Sequence, residues 1–172
     1  MTVSSRPTDL TATILGERPQ DDARVQALIE QAFGPGRFAK TAERLREHNH
    51  ADLSLSLVAW SSERAVGCVR LWPIFIGGEK ALLLGPFAVD DAWRSRGLGG
   101  QLIERACKAA REAGHAVMLL VGDEPYFRRF GFQALPVDAV KLPGPVDYRR
   151  VLWLDLQGGA PSPAGSVAAP PR

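Results

Sequence analysis

Residues Leu82–Gly114 read LLLGPFAVDDAWRSRGLGGQLIERACKAAREAG. An apolar run passes through a short polar linker into Arg94-Ser95-Arg96-Gly97-Leu98-Gly99-Gly100, and a helix-patterned segment follows at once. The order is strand, glycine-rich turn, helix start. The first N–H groups of a helix lack intrahelical acceptors and stand at the positive end of its dipole, so they form an anion site. Glycines let the backbone come close to a phosphate, and arginines add charge-assisted donors. The stretch therefore points to a phosphorylated ligand held at this turn.

Three phosphate-binding patterns compete for it. The P-loop string G-x-x-x-x-G-K-S/T does not occur. The dinucleotide fingerprint G-x-G-x-x-G fails at its third glycine, because Gly97-Leu98-Gly99-Gly100-Gln101 is followed by Leu102. The third pattern, Q/R-x-x-G-x-G/A, is met by Arg94-Ser95-Arg96-Gly97-Leu98-Gly99. Downstream, the buried-strand run Val117–Val121 leads into Gly122-Asp123-Glu124-Pro125-Tyr126-Phe127-Arg128-Arg129-Phe130-Gly131-Phe132. On these two landmarks the chain resembles the GCN5-related N-acetyltransferase (GNAT) superfamily. In that family the first loop wraps the pyrophosphate of acetyl-CoA, and the second landmark is a strand, a short helix bearing an aromatic residue, then Gly-Phe. LVGDEPYFRRFGF resembles the YhbS-type branch in particular. The resemblance runs from about Leu10 to about Leu156.

A chain of 172 residues is one domain by the usual prior and is long enough for a substantial core. Net charge is only +2, with no long basic run, which argues against nucleic acid as the main partner. The two cysteines, Cys68 and Cys107, have no metal spacing and read as reduced core residues, so no metal is expected. MTVSSRPTDL lacks a hydrophobic signal region, and no apolar run approaches the ~20 residues of a membrane span. The expectation is a cytoplasmic protein.

Residues 1–9 are polar and read as a flexible N-terminus. Leu10–Leu15 is rich in β-branched residues and reads as a first strand. Pro19-Gln20-Asp21-Asp22 opens a helix whose apolar face is Val25, Leu28, Ile29 and Ala32, and Gly34-Pro35-Gly36 stops it. A weaker polar helix is read over 39–48. Leu53–Trp60 alternates as a half-buried strand, and Ala65–Ile76 and Lys80–Val89 form two long strands joined by Gly77-Gly78, a hairpin signal. After Gly97 a helix carries the stripe Leu98, Leu102, Ala106, Ala109 and Ala113, and Gly114 ends it. The next strand, Ala116–Val121, returns parallel to Leu82–Val89 through a right-handed crossover. Arg149–Leu156 reads as a final strand. From Gln157 onward the Gly/Ala/Pro/Ser composition predicts a disordered tail, so the folded domain is set at 10–156.

The resemblance implies an α/β (α+β) GNAT-like acyl-CoA N-acyltransferase fold: a mixed, mostly antiparallel twisted sheet with helices on both faces, splayed where acetyl-CoA inserts. It implies an acetyl-CoA-dependent acyltransferase that moves an acetyl group to a primary amine by direct attack in a ternary complex. The alternative is a non-catalytic acyl-CoA-binding or sensing domain. Two-chain assemblies are common in the family, but no residue here specifies an interface. Gly85-Pro86 interrupts the strand before the loop, since proline cannot donate a ladder hydrogen bond. By resemblance, Phe87, Ala88 and Val89 then line the cofactor arm, and Arg94, Ser95, Arg96, Gly97, Leu98, Gly99 and Gly100 hold the pyrophosphate. The family often protonates the leaving thiolate with a tyrosine four residues before the Gly of Gly-Phe, but Phe127 stands there and Tyr126 lies one residue earlier. Three readings stay open: a shifted helix that lets Tyr126 reach the sulfur, protonation by water, or CoA binding without turnover. Phe33, Phe38, Arg70 and Trp72 fall where the family builds its acceptor pocket. Base candidates are Glu79, Asp123, Glu124 and His48.

Overall fold

The computed structural model describes residues 11–34 and 40–171. The expected flexible N-terminus and the candidate Phe38 lie outside the described residues. Seven strands form one path in the order β1-β2-β3-β4-β5-β8-β6. These are β1 (Thr13–Gly16), β2 (Leu57–Ser61), β3 (Arg64–Ile76), β4 (Glu79–Val89), β5 (Val117–Val121), β6 (Gln133–Ala134) and β8 (Val151–Asp155). Two further strands, β7 (Val140–Lys141) and β9 (Gly165–Ala168), extend it, β9 pairing both β3 and β7. Neighbours on the main path are antiparallel except β4 and β5, which run parallel, as expected of a strand–helix–strand unit. The helices are α1 (Asp22–Phe33), α2 (Thr41–Arg44), α3 (Leu98–Glu112) and α4 (Glu124–Phe127).

Adjacent residues of the strands point to opposite faces, and the core divides accordingly. Ala59, Val69, Leu82 and Leu84 join α3 in one apolar cluster, while Val58, Trp60, Cys68 and Ala88 join α1 in another. Helices therefore cover both faces. The buried stripe of α3 is Leu98, Leu102, Ile103, Ala106, Cys107 and Ala110. It is turned from the expected stripe: Ala109 is only half-buried and Ala113 is exposed, because the 3.6-residue period carries the row through Ala110. Gly67 on β3 lets this helix come close, since a Cβ there would stand 2.9 Å from Leu102 Cδ1.

Three expected elements are shorter than their sequence patterns. The first strand begins only at Thr13, and the weak helix over 39–48 is the single turn Thr41–Arg44. The strand expected from Leu53 begins at Leu57. Asp52 accepts hydrogen bonds from the Ser54 N–H at 3.0 Å and the Ser54 hydroxyl, and its carbonyl accepts from the Leu55 N–H and the Ser56 hydroxyl. This local turn competes with the ladder and wins.

The tail expected to be disordered instead carries β9. Val167 is buried against the cluster that holds Ile76 and Val140. Its small residues, read as too weak to order, are what let it dock. A Cβ on Gly165 would stand 2.6 Å from Gly77 Cα, and the Gly77 N–H donates to the Ser166 carbonyl at 2.9 Å. The Asp155 carboxylate turns the chain toward this strand by accepting from the N–H groups of Gly158, Gly159 and Ala160.

Arg70 on β3 is buried beside Glu17, whose carboxylate accepts from Arg70 Nη2 at 2.6 Å and Nε at 3.1 Å; Asp22 at the start of α1 also accepts, at 2.9 Å. This pair ties β1 and α1 to the sheet centre. Removing one partner of a buried pair leaves the other charge uncompensated, at about 3–5 kcal/mol. Arg70→Met is expected to lower stability by that amount in urea unfolding, and adding Glu17→Leu is expected to restore most of it.

Candidate active site

The β4–β5 ladder is short. It pairs Leu82 with Met118 and Leu83 with Leu119, although β4 continues to Val89 and β5 to Val121. The cause lies in β4. Against β3 the register steps from Val69↔Phe87 to Leu71↔Leu84, so β4 carries one extra residue at Gly85-Pro86. That is a β-bulge, as the proline foretold. Gly85 sits at φ +139°, a backbone region that side chains disfavour, and Trp72 Nε1 donates to its carbonyl at 2.5 Å. Trp72 thus pins the bulge from β3, and it lines neither cleft described below.

Beyond the bulge the strands part, and two clefts open. The first, of about 600 Å³, runs between Leu84–Phe87 of β4 and the end of β5 (Leu120 and Val121) with Gly122 after it, and is closed by Phe33, Lys40, Thr41, Arg46, Asp123, Pro145, Val146, Asp147 and Arg150. The second, of about 1140 Å³, is lined by Phe87, Ala88, Val89, Arg94, Ser95 and Gly97–Gln101, with Arg129 and Phe130 opposite. Phe33, Phe87 and Tyr126 line both.

The second cleft contains the glycine loop. Asp90 starts it, accepting from the Ala92 N–H at 3.0 Å and pairing with Arg64. Ser95 at φ +62° and Gly97 at φ +80° both adopt left-handed backbone. Such turns direct successive N–H groups into one concavity. The first helical hydrogen bond of α3 runs from the Gln101 N–H to the Gly97 carbonyl, so the N–H groups of Leu98, Gly99 and Gly100 precede the ladder. Gly99 is required by crowding: a Cβ there would stand 2.9 Å from Tyr126 Oη and 3.0 Å from Phe87 Cζ. Of the expected loop residues, all but Arg96 line this cleft; the Arg96 guanidinium lies over the Trp93 ring, 5.7 Å from its centroid. Arg94 pairs with Asp91 at 3.1 Å.

Tyr126 and Phe127 are resolved by direction. Phe127 is buried against Phe132 and Gly122, with the two phenyl centroids 5.9 Å apart. Tyr126 instead stacks on Phe87 at 6.2 Å, with its hydroxyl beside Gly99 and Arg129 over its ring at 4.6 Å. Among the base candidates, Asp123 lines the first cleft and makes no capping hydrogen bond to α4. Glu124 pairs with Arg128 at 3.3 Å. Glu79 and His48 line neither cleft. Arg70, expected at the acceptor pocket, is held by Glu17 and Asp22 and also lines neither. The residues that do close the first cleft, above all Arg46 and Arg150, come from segments without a sequence motif. Among the described residues, no group of three His, Cys, Asp or Glu could hold a metal, and no helix is long and apolar enough to cross a membrane.

A model of the acetyltransferase (GNAT) family matches residues 23–132. The chain belongs to this family. It is 34% identical over 120 residues to the uncharacterized N-acetyltransferase YhbS of Escherichia coli (strain K12), spanning 68% of this chain and 71% of that one. The crystal structure of the E. coli GNAT family N-acetyltransferase YhbS in complex with CoA superposes with a TM-score of 0.78 at 27% identity, covering 96% of this chain and 93% of that one. A GNAT family acetyltransferase from Brucella melitensis in complex with acetyl-CoA gives 0.69 at 29% identity, covering 94% and 97%.

A catalytic thiol has no place in this acetyltransferase-family chain. Burial pushes the Cys68 thiol up to about 12 and the Cys107 thiol up to about 11. Only the thiolate reacts quickly, and both groups stay protonated at pH 8. In the native protein at that pH neither is expected to react with an aromatic disulfide reagent within minutes, whereas both are expected to react after unfolding in guanidinium; rapid native labelling would contradict the burial.

Proposed function

We propose that this GNAT acyltransferase moves an acetyl group from acetyl-CoA to a primary amine by direct attack in a ternary complex. The observation that carries the reading is that two clefts share the walls Tyr126 and Phe87 where β4 parts from β5. A long nucleotide thioester needs such a division, with phosphates at one end and a reactive carbon at the other. The residues present fit it. The loop N–H groups of Leu98, Gly99 and Gly100, with Arg94 at the rim, suit a pyrophosphate. The bare Cα of Gly99 leaves room beside the aromatic wall. When bound, acetyl-CoA supplies the activated acyl carbon.

The remaining chemistry falls to the chain. Transfer forms a C–N bond, breaks the C–S bond, takes one proton from the amine and returns one to the departing thiolate. Tyr126 carries the one hydroxyl among the described residues that borders both clefts, so we assign it the proton returned to sulfur, in the role the family gives to the next position. Phe87 stacks against its ring and orients it. Gly85 and Pro86 line the first cleft next to Phe87, which borders both, and an oxyanion developing there would take its donors from the backbone N–H groups flanking the proline.

Two substitutions test the assignment. Gly99→Val would press on Tyr126 and Phe87, and acetyl-CoA affinity measured by calorimetry is expected to fall by more than about tenfold, or ~1.4 kcal/mol. Unchanged affinity would remove the loop from the cofactor site. Tyr126→Phe preserves the stacking and deletes the hydroxyl. Its kcat is expected to drop by ~10²–10⁴-fold with acetyl-CoA affinity retained, as for loss of a general acid. An unchanged kcat would assign the proton to solvent, and binding without CoA release by the wild type would support the sensing alternative.

A further inference from the structure

We infer that the amine acceptor also carries a carboxylate, which Arg46 receives with the help of Arg150 and Lys40 while the amine faces Asp123. The inference rests on the acetyl-transfer reading above and names its second substrate class. Arg46 follows α2, and its guanidinium reaches the bulge itself: a Cβ on Gly85 would stand 2.9 Å from Arg46 Nη2. The group is fixed rather than solvated. Glu43 holds Nη1 at 2.9 Å, and the side chain is only 15% exposed. A guanidinium carries five N–H donors in a planar fork, and such a fork matches a carboxylate in two parallel hydrogen bonds.

Two more cations border the same cleft. Arg150 precedes β8, and its charge acts on the neighbouring Asp147. Lys40 lies over the Phe33 ring at 5.3 Å. Two carboxylates complete the lining. Asp147 is held by Arg149 at 3.1 Å, which lowers its pKa from the ordinary carboxylate value, and Asp123 follows Gly122 just after β5. Three cations against two anions leave one net positive charge in the lining. That balance suits a monoanion more than a phosphate dianion. Arg46 and Asp123 border the same cleft, so a molecule with one acidic and one basic end finds a partner for each. A cavity of about 600 Å³ suits a small molecule of this kind.

The test measures CoA release by the full chain at saturating acetyl-CoA with amines in pairs that differ by one carboxyl group: lysine against cadaverine, phenylalanine against phenethylamine, β-alanine against ethylamine. At least one carboxylated member is expected to exceed its partner in kcat/KM by about ten- to hundredfold, because a site built around a charged group rejects the analogue that lacks it. Arg150→Gln, at an exposed position, is expected to shrink that ratio through KM with acetyl-CoA affinity unchanged by calorimetry, and Arg46→Lys, which keeps the charge and loses the fork, is expected to shrink it as well. Equal kcat/KM within every pair, a ratio that survives both substitutions, or a preference for phosphoethanolamine over β-alanine would overturn the inference while leaving acetyl transfer intact. Failure of the wild type to bind acetyl-CoA would instead overturn the transfer reading, and this inference with it.

Discussion

One extra residue in β4 organises the molecule. The bulge at Gly85-Pro86 ends a parallel ladder after two residue pairs, and the backbone groups freed beyond it face a cleft rather than a neighbouring strand. A sheet that simply continued would bury this surface and leave no room for a ligand. The bulge is held by the Trp72 indole on β3 and lies beside the Arg46 guanidinium after α2. The pairing of β4 with β3 resumes on both sides of it.

The rest of the architecture supplies walls for that opening. The buried Arg70–Glu17 pair and its contact with Asp22 hold α1 against the sheet, and the last residue of α1, Phe33, borders both clefts. On the other side, α4 and the turn after it carry Tyr126 and Phe130, packed edge to face, with Arg129 over both rings, toward the glycine loop. The same four-residue helix sends Phe127 into the core. One turn therefore anchors the wall and presents it.

The glycine loop, the proline in β4 and the Gly-Gly hairpin were legible because each depends on backbone chemistry confined to a few neighbouring residues. The parallel β4–β5 pairing followed from strand, helix and strand in order. Side-chain destinations were harder to read. Arg70 was expected at the acceptor pocket, but its partner Glu17 lies 53 residues away and leaves no local trace. Phe127 and Tyr126 differ by one position on a helix, and only packing decides which of them faces the groove. Arg46, Lys40 and Arg150 meet across loops that carry no motif. The tail was misread for a different reason: composition counts large apolar groups, whereas β9 docks through two glycines in close backbone contact and a single buried valine.

The account stands or falls on the opening between β4 and β5, and a crystal structure of the protein grown with acetyl-CoA tests it directly. The pyrophosphate is expected within hydrogen-bond distance of the Leu98, Gly99 and Gly100 N–H groups, with the arm passing Tyr126 and Phe87 and the acetyl group beside Gly85-Pro86. Density for the cofactor elsewhere on the molecule, or a β4–β5 ladder that runs unbroken past Leu83, would contradict it.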